Sequence, residues 1–237
     1  MKKALKITGI VLLVLIVFAF AIPILFKGKI LTAAKNGINK SVNATVDFKD
    51  LSLSLFRHFP KLSVALENVS VIGKDEFAKD TLVSAEKIDV SVNIMSVISG
   101  SELKVGGVYL ESPRIHALVN KNGKANWDIA KPDTSHTTAD TSSSSFKMQL
   151  QKYSINNGYI LYNDESSNMS AEIIGLNHEG SGDFTQDVFT LSTNTKTASA
   201  SFNYGGVPYL LNAKTDIGAD IKIDNKASRY DFKTDDI

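Results

Sequence analysis

Four histidines, His58, His116, His136 and His178, are the side chains best suited to proton transfer or metal binding near neutral pH in this 237-residue sequence. None has another histidine or a carboxylate at a recognised ligand spacing, so no metal is expected and each reads as a surface or strand residue. The sequence holds no cysteine, which excludes a disulfide scaffold, a thiol nucleophile and a thiolate-held cluster. There is no Walker sequence and no G-x-S-x-G. Gly180-Ser181-Gly182 lacks the following helix that a phosphate loop requires. Asp164-Glu165 and Asp235-Asp236 are acidic pairs in turn-like surroundings and read as solvated loops. Trp127, the single tryptophan, reads as a packing anchor. Nothing here points to catalysis: neither an enzyme nor a cofactor is expected.

The charge balance excludes a second class. The 26 Lys and Arg nearly offset 25 Asp and Glu, but residues 1 to 29 carry five lysines and no acid, leaving 21 basic against 25 acidic residues beyond them. A slightly acidic body is unsuited to nucleic acid, which is bound through clustered Lys and Arg.

The basic start flanks an apolar run. Ile7 to Phe26 is 20 residues without a charge, and at 1.5 Å per residue a helix of that length is about 30 Å long, the thickness of a bilayer core. Ala19-Phe20-Ala21 fits a signal-peptidase site, but the run continues through Ile22, Ile24, Leu25 and Phe26, which favours an uncleaved anchor. The expectation is a single span with ends at Ile7 and Phe26, its short tail inside and the body exported.

The chain beyond Phe26 must position any binding surface. Ile30, Ala34, Ile38 and Val42 recur every four residues and predict a short juxtamembrane helix over 29–42. Period 2 then takes over. Leu51, Leu53 and Leu55 alternate with serines; Leu62, Val64 and Leu66, then Ile88, Val90, Val92 and Ile94, then Ile115, Ala117 and Val119 follow suit. Later stretches around Ala200 and Ile221 repeat it. Such alternation marks sheets with one apolar and one polar face. Asn122-Gly123 is a two-residue hairpin signal, while Gly106-Gly107 and Asn157-Gly158 mark turns or bulges. About a dozen strands are expected, mostly antiparallel. Lys131 to Ser145, nine of whose fifteen residues are Ser or Thr, reads as a flexible loop. The organisation is therefore 1–28 tail and anchor, 29–130 a helix and first β segment, 131–147 the loop, and 148–237 a second β segment. The second segment either continues the first sheet or forms its own domain. A loose echo between residues 104–110 and 154–160 favours continuation.

Two stretches carry a family resemblance: DFKDLSLSLFRHFPKLSVALENVSVIG (Asp47 to Gly73) and LVSAEKIDVSVNIMSVISGSELKVGGVYLESPRIHALVNKNGKANW (Leu82 to Trp127). With the basic single-span start, they resemble the amino-terminal region of the AsmA family of bacterial envelope proteins. The resemblance covers residues 1 to 130 well. It implies an inner-membrane protein with a periplasmic body, linked to outer-membrane assembly and envelope lipid balance. It also implies kinship with bridge-like lipid carriers, whose curved sheet forms an apolar trough for phospholipid. The lipid-facing candidates are then Leu62, Val64, Leu66, Ile88, Val90, Val92, Ile94, Ile115, Ala117 and Val119. Alternation alone leaves open an apolar groove, a β-sandwich in which the same faces pack together, and a scaffold that binds a protein partner through a sheet edge.

Overall fold

The computed structural model describes residues 28–29, 31–99, 104–131 and 150–236. The expected span from Ile7 to Phe26 lies outside these residues, as does the Ser/Thr-rich segment apart from Lys131. No helix among the described residues is long and apolar enough to cross a membrane.

The juxtamembrane helix, α1, covers 31–41, with 28 and 29 also helical. Its half-buried residues Leu31, Ala34, Lys35, Ile38 and Asn39 fall on one stripe. That stripe packs on β1 (Ala44–Asp47). The Asn39 amide brackets Val46, accepting its N–H at 2.8 Å and donating to its carbonyl at 2.7 Å. Lys35 pairs with Asp47 at 2.5 Å, which holds that carboxyl below its usual range, and lies over the ring of Phe48. Following α1 backwards from Asn39 to Lys35 thus follows β1 forwards from Val46 to Asp47, so helix and strand are antiparallel.

Ten further strands follow among the described residues: β2 (Asp50–His58), β3 (Lys61–Gly73), β4 (Thr81–Val92), β5 (Val105–Glu111), β6 (Arg114–Val119), β7 (Lys152–Asp164), β8 (Met169–Ser181), β9 (Val188–Tyr204), β10 (Val207–Asp224) and β11 (Arg229–Asp236). All eleven join one sheet. β1 and β2 share one position beside β3, and β5 and β6 share one beside β4, so the sheet has nine strand positions. At about 4.8 Å per strand it spans roughly 40 Å, shorter than a dozen separate strands would give. Every pairing is antiparallel except those of β5 and β6 with β7. A parallel neighbour needs a long crossover, and the chain between Val119 and Lys152, which includes the Ser/Thr-rich segment, supplies it. The two β segments are therefore adjacent in one sheet. The echoing stretches lie on neighbouring strands, with Gly107 opposite Lys152.

Substantial contacts between strands follow the pairing order, and no second sheet packs face to face on the first among the described residues. Two local expectations need correction. Ile94 does not extend β4: the Asn93 side chain accepts the Met95 N–H at 2.9 Å and caps a short helix, α2 (Ile94–Ser99). Asn122-Gly123 does sit in a tight turn, closed by Gly123 donating to the Asn120 carbonyl at 2.9 Å. The returning chain makes only a single bridge, Ala125 to Val119, because Asn126 turns back to hold Leu118 and His116 by its side-chain amide.

Candidate functional site

The candidate apolar face is assembled by register. Leu66, Ile88, Leu110 and Ile155 stand opposite one another across β3, β4, β5 and β7. The next row is Leu53, Val64, Val90, Val108 and Tyr153. Directly paired residues share a face, so these rows form one patch. Leu62, Val64, Leu66, Ile88 and Val90 are half-buried and Leu53 is 40% exposed, whereas Val92 is buried at 6%. Ile94, on α2, is half-buried outside the sheet.

Ile115, Ala117 and Val119 belong to a second group. Val46, Val71, Val83, Ile115, Ile160, Ile173, Ala200 and Ala213 form a continuous row across β1, β3, β4 and β6 to β10. Between the two groups the apolar phase slips from one parity to the other: Leu62, Val64 and Leu66 give way to Val69 and Val71, and Val108 and Leu110 to Ile115 and Ala117. In a regular strand an odd step flips a side chain to the opposite face.

A line of backbone irregularities crosses the sheet where the slip occurs. Asn68 on β3, Ser112 between β5 and β6, Asn157 on β7, Gly175 on β8 and Asn212 on β10 all have positive φ, between 47° and 64°. Register shifts fall beside them, between Ile155 and Tyr159 on β7 and between Leu210 and Thr215 on β10. A bulge inserts one extra residue and cancels the slip. Gly158 shows the result: a Cβ there would stand 2.8 Å from Ile155 Cγ2, so Ile155 projects from the same side as position 158. Ile160, two residues further along β7, shares that side. The apolar face is thus continuous across the bulge line. Beside the line, Phe48, Val69, Ala85, Gly158 and Leu176 are buried.

A polar cluster that the sequence did not flag enters this face. His178, in register with Ile155, contacts the Tyr153 hydroxyl at 3.1 Å and the Thr195 hydroxyl at 2.8 Å. Partial burial lowers the His178 pKa and raises that of Tyr153. Burial thus favours the neutral imidazole as a hydrogen-bonding group. The period-2 signal hides this patch because Tyr153 and Thr195 sit at positions that also suit apolar residues.

The opposite face is polar but not uniformly exposed. Around the Arg57 and His58 side chains it is buried: Ser63 is 0%, Asp89 3% and Ser91 1% exposed. Arg57 reaches back over it to Asp89 at 2.9 Å, Ser63 donates to the same carboxylate at 2.6 Å, and the His58 ring stacks on Tyr109 at 4.4 Å. Further along, that face is charged and exposed, as in the Lys196–Asp216 pair. Among the described residues no group of three or more histidines or carboxylates is placed to hold a metal ion. His116 lies on β6, where its carbonyl accepts from Asn126, and His136 lies outside the described residues.

A search of curated proteins found no match to the chain. The AsmA family pattern matches residues 1–228, from the basic start through β10 and well beyond the motifs before Trp127. The chain belongs to the AsmA family.

Proposed function

We propose that this chain is anchored in the bacterial inner membrane by residues 7–26 and exposes its sheet to the periplasm, where the continuous apolar face binds phospholipid acyl chains. Membership of a family associated in general with envelope assembly and lipid transport supports the setting. The observation that carries the reading is the bulge line, which keeps apolar residues of both parities on one half-exposed face. Water contact with two sixteen-carbon tails costs on the order of 25 kcal/mol at about 0.8 kcal/mol per methylene. A single-layer apolar face offsets that cost while leaving headgroups wet. The test is native mass spectrometry of the full chain released from mild detergent. Phospholipid retained in stoichiometric amount is expected; a chain that emerges bare sinks the proposal.

A second reading, a scaffold for a protein partner, draws on the edge strand β11. No described strand pairs with its outer side, and Tyr230 and Phe232 are 59% and 71% exposed. Such an edge can accept another strand. Cross-linking that captures a stoichiometric protein at β11 from a chain without lipid would favour it.

A further inference from the structure

We propose that residues 55–60, the end of β2 and its turn into β3, form an aromatic wedge that inserts into the bilayer surface and seats the first edge of the sheet on the membrane. This rests on the reading of residues 7–26 as a membrane span. Phe59 and Phe56, at 78% and 75%, are the most exposed large apolar side chains among the described residues.

They are presented rigidly. β2 pairs regularly with β3 only as far as Ser54 and touches it again at His58, so residues 55–57 bow away from the sheet. The Ser54 hydroxyl accepts the N–H groups of Phe56 and Arg57, both at 3.3 Å. Arg57 and His58 turn inward, the first to Asp89 and the second onto Tyr109, while Phe56 and Phe59 remain outside. A polar clamp through Arg57 and His58 between two exposed aromatic residues makes a preorganised insertion element, and aromatic side chains suit the headgroup–acyl boundary. At the same end of the sheet Leu62 pairs with Val92, just before α2, where Met95 is 64% exposed and adds a third apolar side chain.

The chain's own course identifies the occupant as a lipid surface. α1 packs on β1, which shares the first strand position with β2. Because α1 is antiparallel to β1, its beginning points along that edge towards the end bearing Phe56 and Phe59. Just ahead of α1 lie the twenty uncharged residues Ile7 to Phe26. The start of α1, which the most apolar segment of the sequence immediately precedes, therefore points towards the most exposed aromatic tip of the sheet.

The experiment uses the full chain in phosphatidylcholine vesicles carrying a nitroxide on the acyl chain near the headgroup. Trp127→Phe removes the native indole, and Phe59→Trp reports on the tip; Tyr209→Trp, 67% exposed on β10, is the control. A tip seated at the headgroup–acyl boundary should show quenching on the order of two- to threefold stronger than the control. Equal quenching at the two positions, in a chain that alkaline carbonate does not extract, overturns the wedge and leaves the anchor intact. A chain that carbonate extracts overturns both. Protection of the Phe59→Trp indole accompanied by tip-to-tip cross-linking also overturns the wedge, since a second copy then covers the aromatic rings. Phe56→Ser with Phe59→Ser should leave bound phospholipid unchanged, which separates failure of the wedge from failure of the acyl-binding face.

Discussion

A carboxylate placed on successive residues of β3 and β4 distinguishes an open apolar face from a covered one. Val90 is half-buried in the row with Val64, Val108 and Tyr153, whereas Ala65, next to Val64, faces the other way and is fully enclosed beside Asp89. Val90→Asp removes part of a side chain worth about 1.5–3 kcal/mol when fully buried. It also places a poor strand former in β4, at up to about 1 kcal/mol. The expected cost is near 2 kcal/mol, which lowers Tm by roughly 4–8 °C in a chain of this size. Ala65→Asp sets a second carboxylate beside the buried Asp89, whose cation, Arg57, is already engaged. Two like charges about 5 Å apart repel by about 3 kcal/mol at an effective dielectric of 20, and desolvation adds several kcal/mol more. Together these approach the whole stability of a typical domain, about 5–15 kcal/mol.

The lipid consequence runs the other way. A carboxylate at position 90 denies contact to about three acyl methylenes at about 0.8 kcal/mol each, a loss of roughly fiftyfold in affinity. The assay pairs thermal unfolding of the full chain with bound phospholipid counted by native mass spectrometry. Val90→Asp should fold and lose lipid, and Ala65→Asp should fail to fold. If Val90→Asp collapses like Ala65→Asp, the face is covered in the intact protein. If it folds with its lipid unchanged, the acyl chains lie elsewhere. Val92 is the wrong residue for this test, because it is only 6% exposed where β4 and β5 shift register.

Three further outcomes rest on the same geometry. Asn157→Gly should be near-neutral, since glycine accepts a φ of 51° freely, while deletion of Asn157 should prevent folding because the rest of β7 changes face; a deletion mutant with wild-type Tm would refute the phase-correcting role. Gly180→Ala should cost about 1–3 kcal/mol by overpacking, since its Cβ would stand 2.3 Å from the Tyr153 ring, and unchanged thermal unfolding would show that the ring moves aside freely. Asp164 accepts the Ser166 and Ser167 hydroxyls at 2.6 and 2.7 Å, then their backbone N–H groups, and its pKa is lowered to about 2. That value lies below the unfolded value of about 3.9, so the carboxylate's support of the β7–β8 turn is complete above pH ~4 and lost as pH falls through about 2. A carboxyl titration midpoint near 4 by NMR would refute it.

The strands were legible because a half-exposed sheet enforces period 2 in each of them, and Leu62 to Leu66 and Ile88 to Val92 obey it. The helix α1 was legible for the matching reason at period 3.6. Ile94 misled because apolar parity continues past the strand end, and the stop signal is the Asn93 side chain, a short-range cap that periodicity does not register. The polar face was legible only as polar. Alternation puts Ser63 and Ser91 on it but does not show that Arg57 and Asp89 pair over them and so bury that corner.

The parity slip carries the most information of all these signals. Within one strand, an isolated change from even to odd apolar positions is indistinguishable from noise or a strand end. When β3, β5–β6 and β7 change parity at Asn68, Ser112 and Asn157, the slips align only after the strands are set in register. Asn68, Asn157 and Asn212 are the residue type, after glycine, that best tolerates a left-handed backbone. The sequence therefore encodes the bulge line twice, in side-chain parity and in residue type, and the two agree on a single continuous apolar face. A sheet that needed only to bury one face against a partner layer could keep one parity throughout. The added residue in strand after strand places a crease across the face while leaving its apolar character unbroken, the geometry suited to an extended hydrocarbon ligand.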